Sequence, residues 1–319
     1  MIFSVVDVPA GSIPIVAVGP VNSMIAKPGI VPLATDSHTP LIPAVTDSDQ
    51  VQRGETDAAA NRTRPRIRSL ALPTEHGGWG FTLEPILLGL LVAASATAWE
   101  LSAAALGIFL ARRPVKIVST DIVRKRWLPR SKIALAFSVL YGGIALAGVV
   151  GAFLTTDGPF WIPVLVAVPF ALHALRADAH SKNRALLPEL SGSIAMGATV
   201  SAIAIGSGWD LAPAFGLWLV LAARAVATVV LVRAQIRRVH DRPAMEGRVY
   251  SIQALTVAML TVAAAADIVP WLAVMALGGV GALAYWSLTR PPVPAKVVGW
   301  TQIAVGLAVV MLTAIGVWI

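Results

Sequence analysis

The chain contains no cysteine and only five histidines, and charged residues make up 13% of its 319 positions. The absence of cysteine excludes disulfides, thiolate nucleophiles and cysteine metal sites. So small a charged fraction, beside 56% hydrophobic residues and a mean hydropathy of +0.75, lies outside the range of soluble globular chains. No HExxH, no glycine-rich phosphate loop after a strand and no nucleophile elbow is present. His173 and His180 are seven apart, about 10 Å along a helix, too far to share one metal ion directly. Neither a metal nor another cofactor is expected.

What the chain does have is apolar length, in nine runs. Taking about 20 residues for a 30 Å hydrocarbon slab, these are 78–98, 100–118, 133–154, 160–177, 187–206, 211–232, 249–266, 269–288 and 297–318. The expected fold class is an all-α, polytopic membrane helix bundle with about nine transmembrane helices.

Nearly all the basic residues gather on one side of this ladder, and the turns on the other side hold only acids. Lysine and arginine are confined after Arg53, with the exception of Arg224, to 53–68, 112–132, 176–184, 233–248 and 290–296, while Glu100, Asp157, Asp210 and Asp267 mark the alternate turns. Under the positive-inside rule this predicts a multi-pass protein of the cell membrane, amino terminus cytoplasmic and carboxyl terminus extracytoplasmic. The same distribution accounts for the net charge of +8: basic loops beside anionic lipid explain it, and nucleic-acid binding is not expected. The lipid bilayer is the primary partner; protein partners are not specified.

Residues 1–75, rich in Pro, Gly, Ser, Thr and Asp, show no sustained hydrophobic period. They are expected to form a disordered cytoplasmic tail ahead of a transmembrane domain at 76–319. The apolar stretch Leu101–Ala111 is too short to cross alone, so its helix should continue through Arg112 and Arg113, which either snorkel to the surface or point into a cytoplasm-facing cavity. Pro114 should bend or end that helix.

Charges inside spans carry the functional signal. Arg224 is the one basic residue after Arg53 outside the five basic stretches and lies within the run 211–232, and an unpaired arginine there costs at least about 2.5 kcal/mol. It should therefore face protein or water, with Glu84, Glu189 or both as its partner. Thr228, Gln235 and Arg238 share its helical face. The pair Glu75 and His76 stands at the start of the first span, where histidine can carry a proton or hold a ligand; an interfacial helix start is the plainer reading. For Glu189 and Arg224 the plainer reading is a pin between two helices. The candidate ligand-binding residues are Glu75, His76, Glu84, Arg112, Arg113, Glu189 and Arg224; no catalytic residue is assigned.

Pro73-Thr74-Glu75-His76-Gly77-Gly78-Trp79 resembles the opening motif of the YwiC-like family of bacterial integral membrane proteins. Arg112-Arg113-Pro114 and Asn183-Arg184-Ala185-Leu186-Leu187-Pro188-Glu189-Leu190-Ser191-Gly192 resemble two further blocks. This resemblance, over about residues 70–319, implies an inner-membrane protein and supplies no reaction. The nine-span layout, with enlarged basic-side loops after the second and sixth spans, also resembles that of the UbiA prenyltransferase superfamily, whose paired acidic clusters hold magnesium. Here the corresponding loops offer only Asp121, and Asp241 with Glu246, so none of those metal ligands carries over. The function expected is UbiA-like binding of a lipid or anionic small molecule in a cytoplasm-facing cavity. The alternatives are a small-solute transporter and a non-catalytic accessory subunit of a membrane complex.

Overall fold

The computed structural model describes residues 67–73, 76–179 and 185–319. They form ten helices and, among the described residues, no strand: α1 (Ile67–Ala71), α2 (His76–Val92), α3 (Ala96–Val123), α4 (Pro129–Thr155), α5 (Trp161–Ala179), α6 (Leu186–Gly206), α7 (Leu211–Val239), α8 (Glu246–Ala265), α9 (Trp271–Thr289) and α10 (Ala295–Trp318). The expected all-α membrane bundle is what the chain forms. Seven of these helices, α4 to α10, are long and apolar enough to cross a membrane. Helix α2 has 17 residues, about 25 Å, and the 28-residue α3 carries Arg112, Arg113, Lys116 and Asp121 in its second half.

Helix boundaries follow from local chemistry. The break between α2 and α3 falls at Ala93–Ser95, earlier than the apolar pattern suggests, because the Ser95 hydroxyl accepts the Ala98 amide at 3.0 Å and caps α3 there. Glu100 is consequently not in a turn. It lies in the second turn of α3 and accepts the Thr155 hydroxyl at 2.6 Å. Pro114 does not end α3: the helix continues through it to Val123. Similarly α7 continues to Val239, so Arg233, Gln235 and Arg238 belong to a helix rather than a loop. The expectation of a disordered tail lies outside the described residues up to 66; within 67–71, helix α1 buries Leu70 and Ala71 and packs on α3 and α4.

The two ends of the bundle differ chemically. At one end, Ser207 donates to the Ala93 carbonyl and Trp318 to that of Leu91, and Thr97 meets Thr155. At the other end lie the contacts of Arg113 with Ser69, Lys116 with Asp178, Arg130 with Asp121, Arg233 with Glu189 and Arg238 with Arg290. We call these the acidic and basic ends. Exposed Trp99, Trp161, Trp271 and Trp318 ring the first, and exposed Trp127, Trp286 and Trp300 the second. Along α10, Trp300 and Trp318 are about 27 Å apart, close to the thickness of the hydrocarbon; these are interfacial belts.

Helix α7 is the core. It buries 72% of its apolar span, against 11% for α4, and packs on α2, α6, α8, α9 and α10. The Trp218 indole donates to the Ile194 carbonyl and the Ser201 hydroxyl to that of Ala214, which ties α6 to α7. Helix α4 instead holds to α3 by one narrow stripe, Ala134, Tyr141, Ala145, Gly148 and Ala152. There Gly107 and Gly148 admit the opposing backbone, and a Cβ on either would collide with it.

Gly148→Leu should therefore lower stability by about 1–3 kcal/mol. Gly142→Leu, one to two turns away with open space around it, should not. Thermal unfolding of both variants in detergent checks this; equal melting temperatures would show that the α3–α4 seam is not close-packed.

Candidate functional site

Two charged sites emerge, one inside the bundle and one at its basic end. In the interior, Arg224 is 3% exposed and its Nη2 lies 2.8 Å from Glu84 Oε1. The same nitrogen donates to the Gln302 carbonyl at 2.9 Å, and the guanidinium stands 5.6 Å over the Phe81 ring. Three helices thus meet at one arginine: α2 supplies Glu84 and Phe81, α7 Arg224, and α10 the Gln302 carbonyl. Gly306, one turn beyond Gln302, makes room, since a Cβ there would overlap both Glu84 Oε1 and Arg224 Nη2.

Glu189 does not join them. It lies three residues from the start of α6, whereas Glu84 lies eight from the start of α2. Its carboxylate accepts Nη2 of Arg233 at 2.8 Å and Nε at 3.2 Å. The expected alternative partner of Arg224 is therefore the partner of Arg233, nine residues further along α7. The remaining members of the polar face separate as well: Arg238 donates to the Ser287 and Arg290 carbonyls at the end of α9, while Thr228 Oγ1 and Gln235 Oε1 are buried without a hydrogen-bond partner.

At the basic end an open cleft of about 490 Å³ is lined by residues of α1, α3, α4 and α5. Arg112, Arg113, Lys116 and Arg130 face Asp121 and Asp178 across it, above an apolar floor that includes Leu70, Phe109 and Ile117. Asp178 takes Lys116 at 2.6 Å and Arg112 at 3.5 Å, and Arg113 donates to the Ser69 carbonyl. Asp121 is 2% exposed. Hydrogen bonds from Arg130 at 2.9 Å and Ser131 at 2.7 Å, with the Arg130 charge, hold its carboxyl below the usual carboxylate range. Among the described residues, four cations and two carboxylates line the cleft. Of the sequence candidates, Arg112 and Arg113 line this cleft and Arg224 does not. Glu75 and the His76 side chain lie outside the described residues. Among those described, no cluster of His, Asp or Glu has a metal-binding arrangement.

Several residues of these sites were not among the candidates. Asp178, Lys116 and Arg130 are unremarkable in a basic loop until the fold sets them around one space. Gln302 and Gly306 had one legible signal, a polar residue and a glycine four apart on the last apolar run.

The fold and the charge segregation define a polytopic helical membrane protein. Within it, residues 72–204 match the family model of YwiC-like protein, a segment that holds all three resembling motifs. That match covers α2 to most of α6, including Glu84, Arg112, Arg113 and Glu189, and stops before Arg224. No curated protein and no solved structure matches the chain.

Two outcomes are expected. Arg224→Ala leaves Glu84 buried without its partner and should cost about 3–5 kcal/mol, much of it regained in the Glu84→Leu/Arg224→Leu double variant; thermal melts of the three proteins decide, and additive losses would refute a coupled pair. At the cleft, the lowered Asp121 carboxyl contributes stability above the ordinary aspartate pKa of about 3.9 and loses it as pH falls through its own, lower value. Asp121→Asn should thus melt lower than the parent at neutral pH, and the difference should close only below about pH 4.

Proposed function

We propose that the protein binds an anionic amphiphile, a lipid carrying phosphate or carboxylate, in the cleft at the basic end. The observation that carries this reading is the pairing of four cations with an apolar floor in one open space of about 490 Å³. Guanidinium groups take phosphate and carboxylate through paired N–H donors, and an apolar floor favours a ligand with a hydrocarbon part. The cleft lies between the first turn of α4 and the last turn of α5, which contribute Arg130 and Asp178. These two helices pack on different neighbours, α4 on α3 and α5 on α6, and exposed Leu135, Val139, Leu172 and Leu175 clothe them with apolar surface. Support for a transporter as second reading comes from the Glu84–Arg224 pair, an intramembrane charge pair of the kind found on substrate and proton paths. The UbiA-like layout enters here only as the resemblance that suggested a basic-side cavity.

The test is ligand-induced stabilisation. Excess phosphatidic acid in a zwitterionic detergent should raise the melting temperature, by an amount on the order of 5 °C at a hundredfold excess over Kd, and phosphatidylcholine should not. Arg112→Ala and Lys116→Ala should reduce that shift whatever they do to the basal value. An equal response to both lipids would defeat the proposal.

We also place the basic end in the cytoplasm, on the ground that Lys and Arg gather there. A phosphatase reporter fused after Ile319 should be active, since it acts only outside the cytoplasm; activity of a cytoplasm-only reporter at that point would reverse the orientation.

A further inference from the structure

The interior ion pair is not sealed by the protein's own polar groups. Arg224 Nε and Thr228 Oγ1 are buried without a hydrogen-bond partner although their residues are 3% and 4% exposed, and Gln302 Oε1 is likewise unpartnered. Thr228 is one turn from Arg224 toward the basic end of α7, and Gln302 is one turn from Gly306 toward the basic end of α10. One atom therefore belongs to the ion pair itself and two to residues on its basic side: one N–H donor, one amide acceptor, and one hydroxyl that can do either. Such groups in native interiors are met by ordered water when there is room.

Glycines on α2 and α10 leave the space for water on that side. These helices close tightly at the ion pair, through Gly306. Toward the basic end, each helix carries a glycine, Gly80 four residues before Glu84 and Gly299 seven before Gly306. Gly80, one turn before Glu84, has only the Glu84 Oε1 atom near its missing Cβ, and Gly299, on the face of Gln302 and Gly306, has nothing within 4 Å. The Glu84 side chain retains 11% exposure.

We propose that a water-filled inlet between the basic-end halves of α2 and α10, passing Gly80, Gly299 and Gln302, reaches Glu84, and that Glu84 is a proton-binding site at its inner end. A water at the carboxylate hands over a proton and is resupplied by the next water outward; Glu84 becomes the neutral acid, and release reverses the transfer. Arg224 keeps its charge throughout. Its bond to the Gln302 carbonyl and its place over Phe81 do not depend on the Glu84 charge, so the arginine stays seated when the carboxylate is neutralised. Of the other charged groups on the helices that pack on α2, none of those described is paired at this depth. Glu100 on α3 is bonded to Thr155 at the acidic end, Glu189 on α6 to Arg233. Arg112, Arg113, Lys116 and Asp121 on α3, Arg237 and Arg238 on α7 and Lys296 on α10 stand toward the basic end. The proton is thus bound at a site distinct from the cleft, and failure of lipid binding there leaves this inference untouched.

Because the chain has no cysteine, single cysteines report access without background. In membranes, Thr228→Cys and Gln302→Cys should react with silver ion at least about tenfold faster than Val220→Cys, a fully buried control on the same helix. Equal rates would mean a dry seam and overturn the inlet. The proton site is read separately, by pH-difference infrared spectra of the full chain in lipid. A protonated-carboxyl band that shifts in D₂O should be present in the parent, displaced in Glu84→Asp and missing in Glu84→Gln. Should Glu84→Gln not fold, the displacement in Glu84→Asp decides alone. A carboxyl band that ignores both substitutions, or no such band, would overturn Glu84 as the site.

Discussion

An arginine placed near the middle of an apolar helix obliges the rest of the bundle to answer it. Arg224 is 3% exposed near the centre of α7, where an unpaired arginine costs at least about 2.5 kcal/mol. The answer is assembled from two distant parts of the chain, a carboxylate on α2 and a carbonyl on α10. Both must come within hydrogen-bond distance of one guanidinium, which requires α2, α7 and α10 to meet with a glycine, Gly306, at the point of contact. The central position of α7 and the docking of the final helix follow from that requirement as much as from apolar packing, which in a bilayer offers no hydrophobic preference for one helix over another.

Away from this centre the adhesion is steric. Small residues on α3 and α4 allow backbone contact, and the outer faces of α4 and α5 meet lipid with large aliphatic side chains. The basic end repeats a different theme: each buried or half-buried acid there, Asp121, Asp178 and Glu189, is held by arginine or lysine from another helix or turn. The same cations that orient the chain in the membrane therefore also clamp its helices to one another. In the cleft of α3, four of them line one accessible space together with Asp121 and Asp178.

The interior pair and the cleft are separate places, although Arg112, Arg113 and Arg224 stand together among the candidates that the sequence offers. In the fold they belong to different places, because α3 carries its arginines at the membrane surface and α7 carries Arg224 inward to Glu84. The cleft is open at the basic end, whereas the pair is enclosed beside unpartnered polar atoms.

Sequence alone determined the class, because composition and apolar length leave no soluble alternative, and the alternation of basic and acidic turns sorts the loops onto two sides. It also showed that Arg224 needs a partner, since that follows from one residue and the solvent around it. Which carboxylate answers was beyond it. Glu84 and Glu189 look alike in pattern, but a few residues of helix length set one at the depth of Arg224 and the other beside Arg233. Helix ends were misread where a side chain outside the hydrophobic pattern acts: Ser95 stops one helix early, and α3 runs on past Pro114. Asp178 with Lys116, and Gln302 with Gly306 beside the ion pair, depend on contacts between residues 60 to more than 200 positions apart, and only tertiary packing decides those, because hydrophobic periodicity records which face of a helix is apolar and says nothing of which helix it will meet.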